Sequence, residues 1–132
     1  MNKVQLEIEA LCNKIKGEGY RRVILLGTPA QMSGPLYRKP LAASGVLVLV
    51  PGEIDRELIG EAIVKIAQGK LGNQTRVWMQ DMLDHGISHG AEALAVVDEC
   101  LFREMARWKL DIPLVGLESK SFFEYLKEIH NT

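Results

Sequence analysis

Four short apolar runs, each separated from the next by small-residue turns and helical patterns, constrain this chain more than any other feature. They are Arg22-Val-Ile-Leu-Leu-Gly27, Val46-Leu-Val-Leu-Val50, Ala93-Leu-Ala-Val-Val97 and Pro113-Leu-Val-Gly116. Runs of this length without polar alternation read as strands buried on both faces. A sheet covered on both faces needs helices, and the intervening segments supply them. Val4, Ile8, Leu11, Cys12 and Ile15 recur at helical spacing, which predicts a helix over residues 2–16 stopped by Gly17 and Gly19. Gly34 to Ser44 reads as a helix that Pro40 should kink or shorten. Ile54, Leu58, Ile59, Ala62, Ile63 and Ile66 draw one face of a helix from Glu53 to about Gly69. Asn73 is placed to cap a further helix carrying Val77, Trp78, Met82 and Leu83, which ends near Gly86 or Gly90. A short helix joins the third and fourth strands, and Ser121 to Ile129 forms the last one.

Strands alternating with helices imply right-handed crossovers and a parallel sheet. The expected architecture is α/β: a single three-layer lobe over residues 1–132, with a four-stranded parallel sheet in the order 2-1-3-4. Ligands of such sheets sit outside the carboxyl ends of the strands. Here those ends are Gly27 to Gly34, Pro51 to Glu53, Val97 to Cys100 and Gly116 to Ser119.

Composition narrows the partners. With 132 residues, 47% hydrophobic and 25% charged, the chain is long enough for one core. The net charge is -1 and no Lys/Arg run occurs, which argues against nucleic acid and anionic membrane as partners. Residues 1–10 carry charges every few positions, unlike a signal peptide. Cys12 and Cys100 are too few and too far apart for a disulfide framework or a zinc motif. A soluble, reducing, cytoplasmic setting is the expectation.

Three segments offer chemistry. The loop Gly27-Thr-Pro-Ala-Gln-Met-Ser-Gly34 leads from a strand into a helix, where backbone N–H groups can hold an anion such as a substrate carboxylate; Thr28, Gln31 and Ser33 are its candidate ligand-binding side chains. It lacks the spacing of a dinucleotide fingerprint and the lysine of a phosphate loop, and a small-residue turn explains it equally. Asp98-Glu99-Cys100 stands where a helix begins, so a carboxylate or thiolate there is favoured electrostatically. Asp98 reads either as a helix cap or as a catalytic group, and Cys100 as a small buried hydrophobe or a nucleophile. His85 and His89 lie one helical turn apart with Asp81 a turn earlier, yet no Glu follows the zinc-protease pattern, so no metal site is assigned.

Taken together, these residues resemble the second lobe of the aspartate/glutamate racemase superfamily. The similarity runs through Gly19-Tyr-Arg-Arg-Val-Ile-Leu-Leu-Gly-Thr28, Tyr37, Gly45-Val46 and Val50-Pro-Gly-Glu-Ile-Asp-Arg-Glu-Leu-Ile59. It continues in Gly90-Ala-Glu-Ala-Leu-Ala-Val-Val97, which resembles the strand before the family's Gly-Cys-Thr-Glu motif, and in Ile112-Pro-Leu-Val115. The resemblance implies an enzyme of two lobes related by a pseudo-twofold axis, with the site in the cleft between them. Each lobe contributes a cysteine, and the pair act without cofactor as base and acid on opposite faces of the substrate α-carbon.

Carried over residue by residue, the chain departs at the reacting groups. Thr28 matches a substrate-loop threonine, but Gln31 replaces the second. Val97-Asp98-Glu99-Cys100 stands for Gly-Cys-Thr-Glu, so Asp98 takes the cysteine position and Glu99 follows. A late-strand aspartate becomes Gly116. A carboxylate is intrinsically a far weaker base than a thiolate. Two readings follow: a catalytically degenerate lobe binding a small carboxylate or a protein partner, or a cofactor-independent amino-acid racemase completed at a homodimer cleft by Asp98 or Cys100 from each copy. Both imply self-association through apolar surface beside the cleft, with Met32, Leu36, Met105 and Trp108 as contributors.

Overall fold

The computed structural model describes residues 2–117. The elements follow in the order α1 (Lys3–Gly17), β1 (Arg22–Leu26), α2 (Pro29–Ser33), α3 (Pro35–Ala43), β2 (Leu47–Leu49), α4 (Glu53–Ala67), α5 (Asn73–Ser88), β3 (Ala93–Val96), α6 (Glu99–Met105) and β4 (Leu114–Gly116). The four strands form one sheet, ordered β2-β1-β3-β4, with every pair parallel. This is the expected α/β arrangement. The last helix expected from the sequence, Ser121 to Ile129, lies outside the described residues.

Alternation along the strands divides the core in two. Val23 and Leu25 of β1, with Ala93, Ala95 and Val97 at β3, face Ile8, Leu11, Cys12 and Ile15 of α1 and Tyr37 and Leu41 of α3. Ile24, Leu26, Leu94 and Val96 face the opposite way, against Ile59 and Ala62 of α4, Met79 and Leu83 of α5, and Leu101 and Met105 of α6. Each fully buried Leu or Ile contributes roughly 1.5–3 kcal/mol by leaving water, so β1 and β3 anchor both layers.

Local chemistry sets the helix ends. Asn2 and Gln5 open α1 with a reciprocal capping box: the Asn2 side chain accepts from the Gln5 N–H at 2.8 Å, and the Asn2 N–H donates to Gln5 Oε1 at 3.1 Å. At the far edge, the Glu92 carboxylate accepts from the N–H groups of Arg21 and Arg22 at 2.9 and 3.1 Å, fixing where β1 begins beside β3.

Several sequence expectations need correction. The segment 27–34 is no open loop, because Pro29–Ser33 is a turn and a half of helix. β2 is a half-exposed edge strand rather than one buried on both faces, with Leu47 52% exposed. Val4, Ile54 and Leu58 fit the helical periodicity yet lie exposed, Ile54 at 74%. Gly72, not Asn73, caps α5, and Asn73 is its first helical residue. α3 continues through Pro40 as far as Ala43. Met32 and Met105 are fully buried core residues, so of the four proposed contributors to an apolar surface only Leu36 is exposed, while Trp108 is half-buried. Among the described residues, no helix is long and apolar enough to cross a membrane.

Candidate functional site at the carboxyl ends of the strands

The end of β1 is built from its own side chains. Thr28 caps α2: its Oγ1 accepts from the Gln31 N–H at 3.2 Å, and its own N–H donates to Gln31 Oε1 at 2.8 Å. Pro29 at the first helical position suits this start, since its missing N–H would have had no helical partner. Gln31 Nε2 then reaches across to the Val97 carbonyl at 3.5 Å, tying the end of β1 to the end of β3. Gly27 is the residue this crossing requires. A Cβ there would stand 2.5 Å from Gln31 Oε1 and 2.9 Å from a Val97 methyl. The Ser33 hydroxyl donates to the Pro29 carbonyl at 2.8 Å. Thr28, Gln31 and Ser33 therefore all direct polar atoms at their own helix. The signal for α2 was present in the sequence as Thr-Pro-Ala-Gln, a capping box with proline at its first helical position.

The end of β3 is different. Asp98 is half-buried and caps α6, its Oδ1 accepting from the Leu101 N–H at 2.8 Å. Glu99, exposed in the first turn, pairs with Arg103 one turn on. Cys100 turns the other way, toward α4, with its Sγ 3.9 Å from the Ile63 carbonyl. Burial raises the Cys100 pKa, the Asp98 and Glu104 carboxylates raise it further, and Arg103 opposes them, so the group is held as a thiol. Asp98 and Cys100 thus leave the same helix start in different directions: one closes the α6 N-terminus and the other packs on the α4–α6 interface.

A depression of about 380 Å³ opens beside these groups, at the ends of β3 and β4. Val96, Val97, Phe102 and Leu117 form its apolar part, and Lys3, Glu7, Glu99 and Arg103 its charged rim. The rim pairs within its own helices, Lys3 with Glu7 at 4.0 Å and Glu99 with Arg103. Glu7 is the more enclosed carboxylate, 19% exposed. It also acts on Tyr37, whose phenol burial pushes up, with the Gln31 hydrogen bond opposing and the Glu7 charge adding to the rise. Sequence reasoning missed Lys3, Glu7 and Arg103. Their i,i+4 spacing was visible, but not the sheet edge on which α1 lands.

Gly116 of β4 lies against Phe102, one of the lining residues. A Cβ at this position would lie 2.5–3.0 Å from three atoms of the Phe102 ring. An aromatic face thus presses on the strand where the resemblance would place an aspartate. Among the described residues, no group of three or more His, Cys, Asp or Glu is positioned to hold a metal.

An all-parallel 2-1-3-4 sheet between two helical layers, with polar groups gathered at its carboxyl end, defines a doubly wound α/β lobe. The chain has the fold of the aspartate/glutamate racemase superfamily and resembles its members. A crystal structure of a provisionally assigned Asp/Glu racemase from Yersinia pestis matches with a TM-score of 0.75 and 21% identity, over 83% of this chain and 48% of that one. The aspartate racemase homologue from Pyrococcus horikoshii OT3 matches with a TM-score of 0.70 and 27% identity, over 96% of this chain and 55% of its own. The chain therefore spans about half the length of these solved structures. No protein-family model matches it, and no curated protein does either.

Proposed function

We propose that this chain is a catalytically degenerate racemase lobe that binds a small carboxylate, either a dicarboxylate or an amino acid, at the ends of β3 and β4. One observation carries the reading. Asp98, which the sequence resemblance sets against the family's cysteine, is a carboxylate whose Oδ1 already accepts the Leu101 N–H at 2.8 Å. A group engaged in a cap and paired with no thiolate is poorly suited to removing an α-proton, which is a very weak acid. Cys100 supports the same view, since its sulfur is held as a thiol against α4. Lys3 and Arg103 supply cations on the rim for a ligand carboxylate, in exchange for their present partners Glu7 and Glu99.

The test is titration of the protein with succinate, aspartate and glutamate, following amide resonances of Val96, Val97 and Phe102. Saturable shifts are expected, without exchange of the amino-acid α-proton for deuterium. Exchange that disappears in Asp98→Asn would overturn the degenerate reading, and no shift with any of the three would remove the ligand class.

A second reading is supported by length. The chain covers 48% and 55% of the two solved structures, and a second copy of it could supply a facing lobe. In that case a homodimer cleft would hold Asp98 or Cys100 from each copy. Sedimentation at micromolar concentration separates the two: a monomer lacking α-proton exchange leaves the first reading, and a dimer whose exchange falls in Cys100→Ser or Asp98→Asn establishes the second.

A further inference from the structure

A second depression, of about 260 Å³, lies away from the ends of β3 and β4, between edge strand β2 and the C-terminal half of α5. Its wall is apolar, formed by Ile24, Leu49, Val50, Met82 and Leu83. Its polar rim consists of Asp55, His85 and His89, and neither Lys nor Arg lines it. None of the residues considered above for carboxylate binding takes part.

Asp55 is the acceptor-only group of the rim when ionised. Asp55 is half-buried in the first turn of α4 and, among the described residues, has no hydrogen bond or ion pair. His89 Nδ1 lies 2.8 Å from the His85 carbonyl oxygen. A carbonyl can only accept, so this nitrogen carries a proton and is turned to the backbone. The α4 N-terminus favours negative charge, and Glu53 and Asp55 already provide it. An apolar slot whose mouth carries a carboxylate unpaired among the described residues complements an amphiphile with a cationic, donor-rich head.

We propose that this depression is a binding site for a small primary ammonium ion bearing an apolar body, with Asp55 as its charge partner. The inference is independent of the proposed carboxylate site, because the two depressions share no residue.

The probe is benzylammonium, compared with benzyl alcohol and benzoate at equal concentration, and read from the methyl resonances of Ile24, Leu49, Val50 and Met82 in the full chain. Saturable shifts with benzylammonium at millimolar concentration are expected, with weaker response to the alcohol and none to benzoate. Asp55→Asn should weaken binding about tenfold, the usual scale for losing one charge-assisted contact. Gly52→Phe provides a second variant that blocks the mouth, since a Cβ at Gly52 meets nothing within 4 Å. Equal binding of benzoate, unchanged affinity in Asp55→Asn with unaltered circular dichroism, or no saturable shift with benzylammonium would each overturn the proposal.

Discussion

The carboxyl ends of β1 and β3 are adjacent in the sheet and both lead into a helix, yet they treat polar side chains differently. At β1, Thr28, Gln31 and Ser33 turn inward and satisfy backbone groups of α2 or the Val97 carbonyl. At β3, only Asp98 is engaged in this way, while Glu99 and Arg103 remain on the rim of a depression shared with Lys3 and Glu7. Polar residues after a buried strand therefore have two fates. At the five-residue α2, they hold the backbone, and Gln31 reaches the neighbouring strand. At the seven-residue α6, the cap takes one side chain and leaves the others on the rim.

The largest effect should come from restoring the carboxylate that the resemblance would place on β4. Gly116→Asp drives a charged side chain into the Phe102 ring and should cost about 3 kcal/mol or more, measured by urea unfolding. If stability were unchanged, the Phe102–Gly116 contact would not be the reason for glycine here. Next, Gly27→Ala should cost about 2 kcal/mol, because the new methyl meets both Gln31 and Val97. Adding Gln31→Ala removes one of those clashes, so the double variant should lose less than the two single losses summed. Strict additivity would show that the bridge between β1 and β3 is not what confines Gly27.

Asp98 separates cap from charge. Asp98→Ala should cost about 1 kcal/mol in the same assay, and Asp98→Asn only a few tenths, because asparagine caps as well as aspartate. Equal losses would mean that the negative charge, not the cap, is what α6 needs. The smallest signal is kinetic. With its pKa raised by burial and neighbouring carboxylates, Cys100 should alkylate with a pH midpoint above that of a cysteine in an unfolded peptide. A midpoint below the ordinary thiol range would return Cys100 to consideration as a nucleophile.

Legibility followed burial. β1 and β3 were readable because strands covered on both faces can carry only apolar residues, and Val23 to Leu26 and Ala93 to Val96 do. β2 has the same kind of sequence but lies at an edge, and nothing in Val46 to Val50 states that one flank has no neighbour. The helical periodicity of α4 identified its element but overstated its buried face, since Ile54 and Leu58 lie exposed. At the site, Asp98 was legible as a cap from its place before a helix. Cys100 was not legible as a residue of the α4–α6 contact, because Ile63 is remote in sequence.

By itself, the sequence determined the four strands, most of the helices, the parallel sheet and the place of Asp98 at a helix start. These are local matters of apolar period, turn chemistry and residue identity. Only the tertiary structure decided that Phe102 lies on Gly116, that Lys3 and Glu7 from the first helix share a depression with Glu99 and Arg103, and that Asp55, unpaired among the described residues, lines an apolar slot. Those contacts depend on where crossovers set helices down, and that position is fixed by packing between segments distant in sequence rather than by any one of them.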